Sequence, residues 1–195
     1  MIAQSVGVIA QYWYVAVAAV VAGSAGVTDV RSGRIYNVVT YPGIAVGLIG
    51  HTLAGQLGGG DYGLGLLGAL TGAALGATML LAWLAGGIGG GDAKLMIAIG
   101  ALTGWQFALG TMFWGFLAAA VMAVGVMLHR GILRSTLARL GRYVYVSLTP
   151  HKAADPTTDE SPKIPLGLAL LIGWVVTLGE WLIWGRPLLQ RAVEG

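Results

Sequence analysis

Two aspartates stand where long charge-free stretches end. Asp29 follows residues 1–28, and Asp92 follows residues 62–91, whose last six positions are Gly86, Gly87, Ile88, Gly89, Gly90 and Gly91. A pair of carboxyl groups can hydrolyse an amide. The ionised member activates water, the protonated member polarises the carbonyl, and proximity separates their affinities for the shared proton. Flanking helix ends suggest how the roles divide. Asp92 would lie at a helix N-terminus, which favours its anion and makes it the base. Asp29 would lie near a helix C-terminus, which makes it the acid. Each residue also has an ordinary explanation: Asp29 as a solvated interfacial group pairing with Arg31 or Arg34, and Asp92 as the cap of a helix that begins at Ala93. An ionisable group at membrane depth is costly and marks a functional hypothesis. Two such groups on one face strengthen it.

The elements that must position them are legible in the charge pattern. Hydrophobic residues make up 56% of the 195 positions and charged residues 10%, against about a quarter charged in a soluble domain. Besides the two stretches named above, residues 35–60 and 95–129 carry no charge, and 164–185 carry only Glu180. A membrane-crossing helix needs roughly 20 mostly apolar residues. The chain therefore reads as an all-α polytopic membrane helix bundle, one domain over residues 1–195. Spans are expected near residues 9–27, 38–57 and 64–85, with aromatic anchors Tyr12, Trp13 and Tyr14 on the first. The N-terminal stretch has no basic flank and is too long for a secretory signal, so it reads as a retained span.

Two crossings separate Asp29 from Asp92, which puts both acids toward one membrane face. Arg31, Arg34 and Lys94 accompany them, and the positive-inside rule makes that face cytoplasmic. Arg130, Arg134, Arg139, Arg142, Lys152 and Lys163 should share it, which requires an even number of crossings between Lys94 and Arg130. Residues 103–106 supply a turn. The 35 residues then form a short fourth span and a fifth ending near His129, and a sixth covers residues 164–184. Only Arg186 and Arg191 of the 11 basic residues fall on the outer side.

Residues 130–163 form a basic cytoplasmic loop. Leu133, Leu137, Leu140 and Val144, interleaved with Arg134 and Arg142, suit a helix lying in the interface near anionic headgroups. A basic linker that only enforces topology explains the same charges. In the third span Gly68, Gly72 and Gly76, with Ala69, Ala73 and Ala77, form a small-residue stripe that lets backbones approach. The glycine run at 86–91 is too dense for a stable helix and reads as a flexible or close-approach segment before Asp92. No cysteine is present, so disulfides and thiolate metal sites are excluded. No metal constellation is recognisable, no cofactor is expected, and the modest positive charge gives no case for a nucleic-acid partner.

The motifs resemble those of the type IV prepilin peptidases, which are Gly-x-Gly-Asp intramembrane aspartyl proteases. Gly89-Gly90-Gly91-Asp92 fits the signature, and Ala93-Lys94-Leu95 extends it in the prepilin peptidase form. Asp29-Val30-Arg31-Ser32-Gly33-Arg34-Ile35-Tyr36-Asn37 resembles the family's first-aspartate segment, and Lys163-Ile164-Pro165-Leu166-Gly167 its Ile-Pro segment before the final helix. The resemblance implies cleavage of basic leader peptides from prepilins or pseudopilins at the cytoplasmic face of the inner membrane. Asp29 and Asp92 would activate water, with Gly89, Gly91, Lys94, Arg34 and Asn37 shaping or supporting the substrate site. Without cysteines or a polar insertion before its first-aspartate motif, the chain is similar to the short, peptidase-only branch found with tight-adherence pili or archaeal filaments, and methyl transfer is not expected.

Other classes remain open on the sequence alone. A small proton-coupled transporter could use the two acids as a relay, although no internal repeat is visible. A non-catalytic assembly protein of a pilus or secretion apparatus is another possibility. Glu180, beside Trp181 and Trp184, reads as interfacial in preference to bundle-facing. Trp105, Trp114 and Trp174 read as packing or interface anchors, and His51 and His129 lie at opposite ends of spans.

Overall fold

In a computed structural model, residues 2–57, 65–132, 134–136, 138 and 164–184 are described, with side chains placed from residue 12 onward. Every regular element among them is an α-helix: α1 (Ile2–Ser32), α2 (Asn37–Leu57), α3 (Gly65–Ala77), α4 (Met79–Leu84), α5 (Gly90–His129) and α6 (Leu166–Trp184). Five helical stretches are long and apolar enough to cross a membrane: Tyr12–Ser32, Asn37–Gly55, Gly65–Leu84, Gly90–His129 and Leu166–Trp184. The chain divides into two compact units, Met1–Ala118 with Pro165–Gly195, and Ala119–Ile164.

The 40 residues of α5 exceed what one crossing requires, and the helix is broken at Gly104, where φ is 80° and ψ is 171°. That backbone conformation suits glycine, which has no Cβ to clash. Neighbouring contacts show that the chain reverses there. Before the break, Gly43 faces Ala98 and Gly47 faces Ala101, so residues 90–103 run alongside α2 in the same direction. After it, the Phe107 and Trp174 rings meet at 6.1 Å and Gly115 faces Leu170, so residues 105–118 run antiparallel to α6. Among the described residues the bundle thus has six helical arms, although only five stretches are long and apolar enough to cross a membrane. Its fourth, 14 residues at about 1.5 Å each, falls short of the roughly 30 Å hydrocarbon core.

Direct backbone contact holds this short arm in place. A methyl group built on Gly72 would run into the carbonyl of Gly100, and one on Gly76 into that of Met96. The stripe foreseen in the third span is therefore used at Gly72 and Gly76. In lipid, where helices gain little hydrophobic drive toward one another, such close approach is the main source of attraction. The arm buries Leu95, Met96, Ile99 and Leu102 completely. On its far side α1 packs against α6 and α2.

At the break, the Leu102 carbonyl receives His51 Nε2 at 2.7 Å. A carbonyl can only accept, so Nε2 carries the hydrogen. His51 is fully buried and packs against the rings of Trp13 and Tyr14, at 5.1 and 5.3 Å. The sequence placed this histidine at the end of a span; the structure makes it an internal strut between α2 and the arm. Glu180 also differs from expectation. It accepts from Trp114 Nε1 at 3.1 Å and so faces the bundle. Several hydroxyls within the helices bond back to their own carbonyls, as Ser24 does to Val20, Thr103 to Ile99 and Thr177 to Gly173. This satisfies polar groups that lipid cannot.

The unit Ala119–Ile164 begins with the last turns of α5. They close in a Schellman arrangement: Ile132 N–H donates to Met127 O at 3.0 Å and Gly131 N–H to Leu128 O at 3.1 Å. A short helical turn follows at 134–136. Most of the interfacial helix expected over residues 133–144, including Leu133, Leu137, Leu140 and Val144, lies outside the described residues.

The Gly72 contact gives a direct test. Gly72→Ala should lower the thermal midpoint of the purified protein in detergent, by about 1–3 kcal/mol of stability, the usual cost of overpacking. An unchanged midpoint would show that the arm is not held by this contact.

Candidate active site

Asp29 does not sit in a polar turn after the first span, as its sequence context suggested. Helix α1 continues to Ser32, so Asp29 lies in its last turn. Gly33, at φ 62°, ends the helix by donating its N–H to Asp29 O at 2.8 Å, the left-handed close that glycine makes without strain. Residues 33–36 then lead directly into α2.

The glycine run divides differently from expectation as well. Residues 86–89 form the turn, while Gly90 and Gly91 already belong to the first turn of α5, with Asp92 third in that helix. Asp92 is therefore not the cap but lies within the first turn, and its N–H reaches back to Gly89 O at 3.2 Å. The motif's glycines have separate steric reasons. A Cβ at Gly89 would lie 2.7 Å from Asp92 Oδ2, so the position must be bare for the carboxyl to fold back over the helix start. A Cβ at Gly91 would lie 3.0 Å from Ile35 Cβ and 3.2 Å from Ile35 O. A bare position there lets the loop after Asp29 settle against the helix that carries Asp92.

The result is one cleft of about 420 Å³, lined by Asp29, Gly33, Arg34, Ile35, Tyr36, Asn37, Gly89, Gly90, Gly91 and Asp92. Both acids reach it and lie within electrostatic range of each other. Of the residues expected at the site, Arg34, Asn37, Gly89 and Gly91 line the cleft as well. Lys94 does not. Its Nζ donates to Asn37 Oδ1 at 3.0 Å and lies over the Tyr41 ring, 5.1 Å from the centroid.

Gly167 was not expected as a site residue. Its backbone N–H donates to Asp29 Oδ2 at 2.7 Å. A Cβ there would lie 2.9 Å from the same oxygen and 2.9 Å from Ile35 Cδ1. Pro165 ahead of an apolar run marked a helix start, but only the fold shows which acid that start meets. The contact also removes the basis for ranking the two acids by helix ends. Asp29 is at the C-terminal turn of α1 yet sits at the N-terminal turn of α6, while Asp92 is in the first turn of α5. Arg31 and Arg34, its expected partners, are exposed. Oδ1 of Asp92 is buried and has no hydrogen-bond partner among the described residues.

The fold and site together define a multi-pass helical bundle with two carboxyls at one cleft beside helix ends. The chain belongs to the type IV leader peptidase family, whose profile matches residues 16–124, more than half its length. It is thus a peptidase. The match includes both acids and stops short of Gly167. Comparison with curated proteins and with solved structures gives no match.

The Gly167 contact predicts a specific loss. Gly167→Ala should cut peptidase activity roughly tenfold to 100-fold through displacement of the Asp29 carboxyl, while the protein remains inserted in the membrane. Initial rates of leader removal check this, and wild-type rates would show that Asp29 needs no such support.

Proposed function

We propose that the cleft is the site of leader-peptide hydrolysis and that Asp29 and Asp92 are its catalytic pair. The observation that carries the reading is their convergence: acids from the end of one helix and the start of another line a single cleft with the Gly89–Gly91 backbone. Water held between the carboxyls would lose a proton to the ionised one as it attacks the scissile carbonyl. The protonated one would donate to the carbonyl oxygen; on collapse, the carboxyl that took water's proton passes it to the departing amine while the other recovers its proton from the gem-diol hydroxyl. No covalent enzyme intermediate is needed.

The substrates are type IV prepilins or pseudopilins, cut between a short basic leader and an apolar stem. The basic residues beside both acids favour a cytoplasmic site on a multi-pass protein of the inner membrane. That geometry suits a substrate whose stem is in the bilayer and whose leader is in water. No cofactor enters this scheme.

Co-expression with a prepilin encoded nearby tests it. Wild type should remove the leader, while Asp29→Asn and Asp92→Asn should each reduce processing by about 1,000-fold or more, as expected when members of one catalytic unit are lost singly, with expression and insertion unchanged. An intact leader on an inserted pilin with wild-type enzyme would sink the reading. Full activity in either Asn variant would remove that residue from the pair.

A further inference from the structure

Asn37 is the first residue of α2 and stands on the cleft wall. Its carboxamide ends in one acceptor oxygen and one donor nitrogen. Lys94 Nζ, which can only donate, is 3.0 Å from the oxygen. Chemistry therefore settles which way the amide is turned: Oδ1 faces Lys94, and Nδ2 with its two N–H groups occupies the other prong. Lys94 is itself fixed. Its ammonium lies over the ring of Tyr41, one helical turn beyond Asn37 on the same face of α2. The cation thus sits between two groups of α2, outside the cleft lining, and touches the cleft wall through the amide it holds.

We infer that Asn37 Nδ2 donates a hydrogen bond to a backbone carbonyl of the bound peptide at the scissile bond, and that Lys94 is the positioning residue that aims this donor. The inference rests on the peptidase reading of the cleft. Water attack places negative charge on the carbonyl oxygen, and a donor already aimed there stabilises the charge without reorganising. Hydrogen bonds in series strengthen one another, so an ammonium on Oδ1 makes the Nδ2 hydrogens better donors. Asn37 shares the cleft lining with both acids and with the Gly89–Gly91 backbone, so a peptide bound beside the acids comes within reach of the amide.

The test uses the full chain reconstituted in lipid vesicles with a leader-bearing prepilin, followed by initial rates and by thermal unfolding of each variant. Asn37→Ala should lower kcat about 100-fold, the scale of one lost donor, with little change in KM. Asn37→Asp keeps an oxygen for Lys94 but removes the donor, and should lose about as much while keeping its thermal midpoint. If Asn37→Ala does not fold, Asn37→Asp carries the test. Lys94→Met should cost roughly tenfold, the scale at which groups that orient an acting residue are felt, and Lys94→Arg should restore most of the rate. In the Asn37→Ala background, Lys94→Met should cost less than about twofold, because its effect passes through the amide.

An Asn37→Asp enzyme within twofold of wild type would overturn the inference and leave the contact a strut between helices. Additive effects of Lys94→Met and Asn37→Ala would overturn the positioning role. Failure of the peptidase reading looks different: wild type itself would leave the leader intact.

Discussion

Backbone contact between helices, made possible by missing side chains, is the constraint on which the cleft depends. The arm that carries Asp92 touches α2 at Ala98 and Ala101 and α3 at Met96 and Gly100. Each contact is possible because a glycine on the partner leaves room, for main-chain atoms at Ala101, Met96 and Gly100 and for the Cβ of Ala98. In a bilayer, where apolar side chains gain little by leaving lipid for protein, van der Waals contact at this range provides much of the specificity. Such contacts tolerate little displacement, which suits an element whose only charged residues near the cleft are Asp92 and Lys94.

The arm's shortness follows from the same economy of atoms. A full crossing would carry its far end to the opposite interface. Here the chain turns at Gly104 inside the bundle, where irregular backbone is tolerated only if protein groups satisfy it. His51 gives one such bond, and the Trp13 and Tyr14 rings shield it from lipid. Both ends of the arm have a fixed place: one borders the cleft and the other is tied to α2.

Much of this was legible in the sequence, because charge-free runs and their parity depend only on order along the chain. The parity alone placed Asp29 and Asp92 on one face, and the turn at residues 103–106 marked the reversal. Helix rotation was not legible, since it depends on distant partners. Nothing local to Gly167 says that its amide meets Asp29. Nothing local to Lys94 says that it turns to Asn37 and Tyr41 in preference to headgroups. The extension of α1 through Asp29 was hidden for a related reason: polar residues 28–34 look like a turn, yet Thr28 and Ser32 bond back to carbonyls of their own helix. Glu180 was misjudged because it is near a span's end in sequence while its partner Trp114 lies on another helix, and the same distance hid the bond of His51 to Leu102.

The amide that meets Asp29 belongs to α6, while the acid belongs to α1, and this has a consequence for synthesis. A ribosome finishes every residue of the family-matched segment, and the basic stretch after it, before Gly167 emerges. Through that interval Asp29 is in a nascent chain without the group that later steadies its carboxyl. A partly made chain thus already holds the residues that line its cleft, and it gains the amide that meets Asp29 only when the last helix joins the bundle.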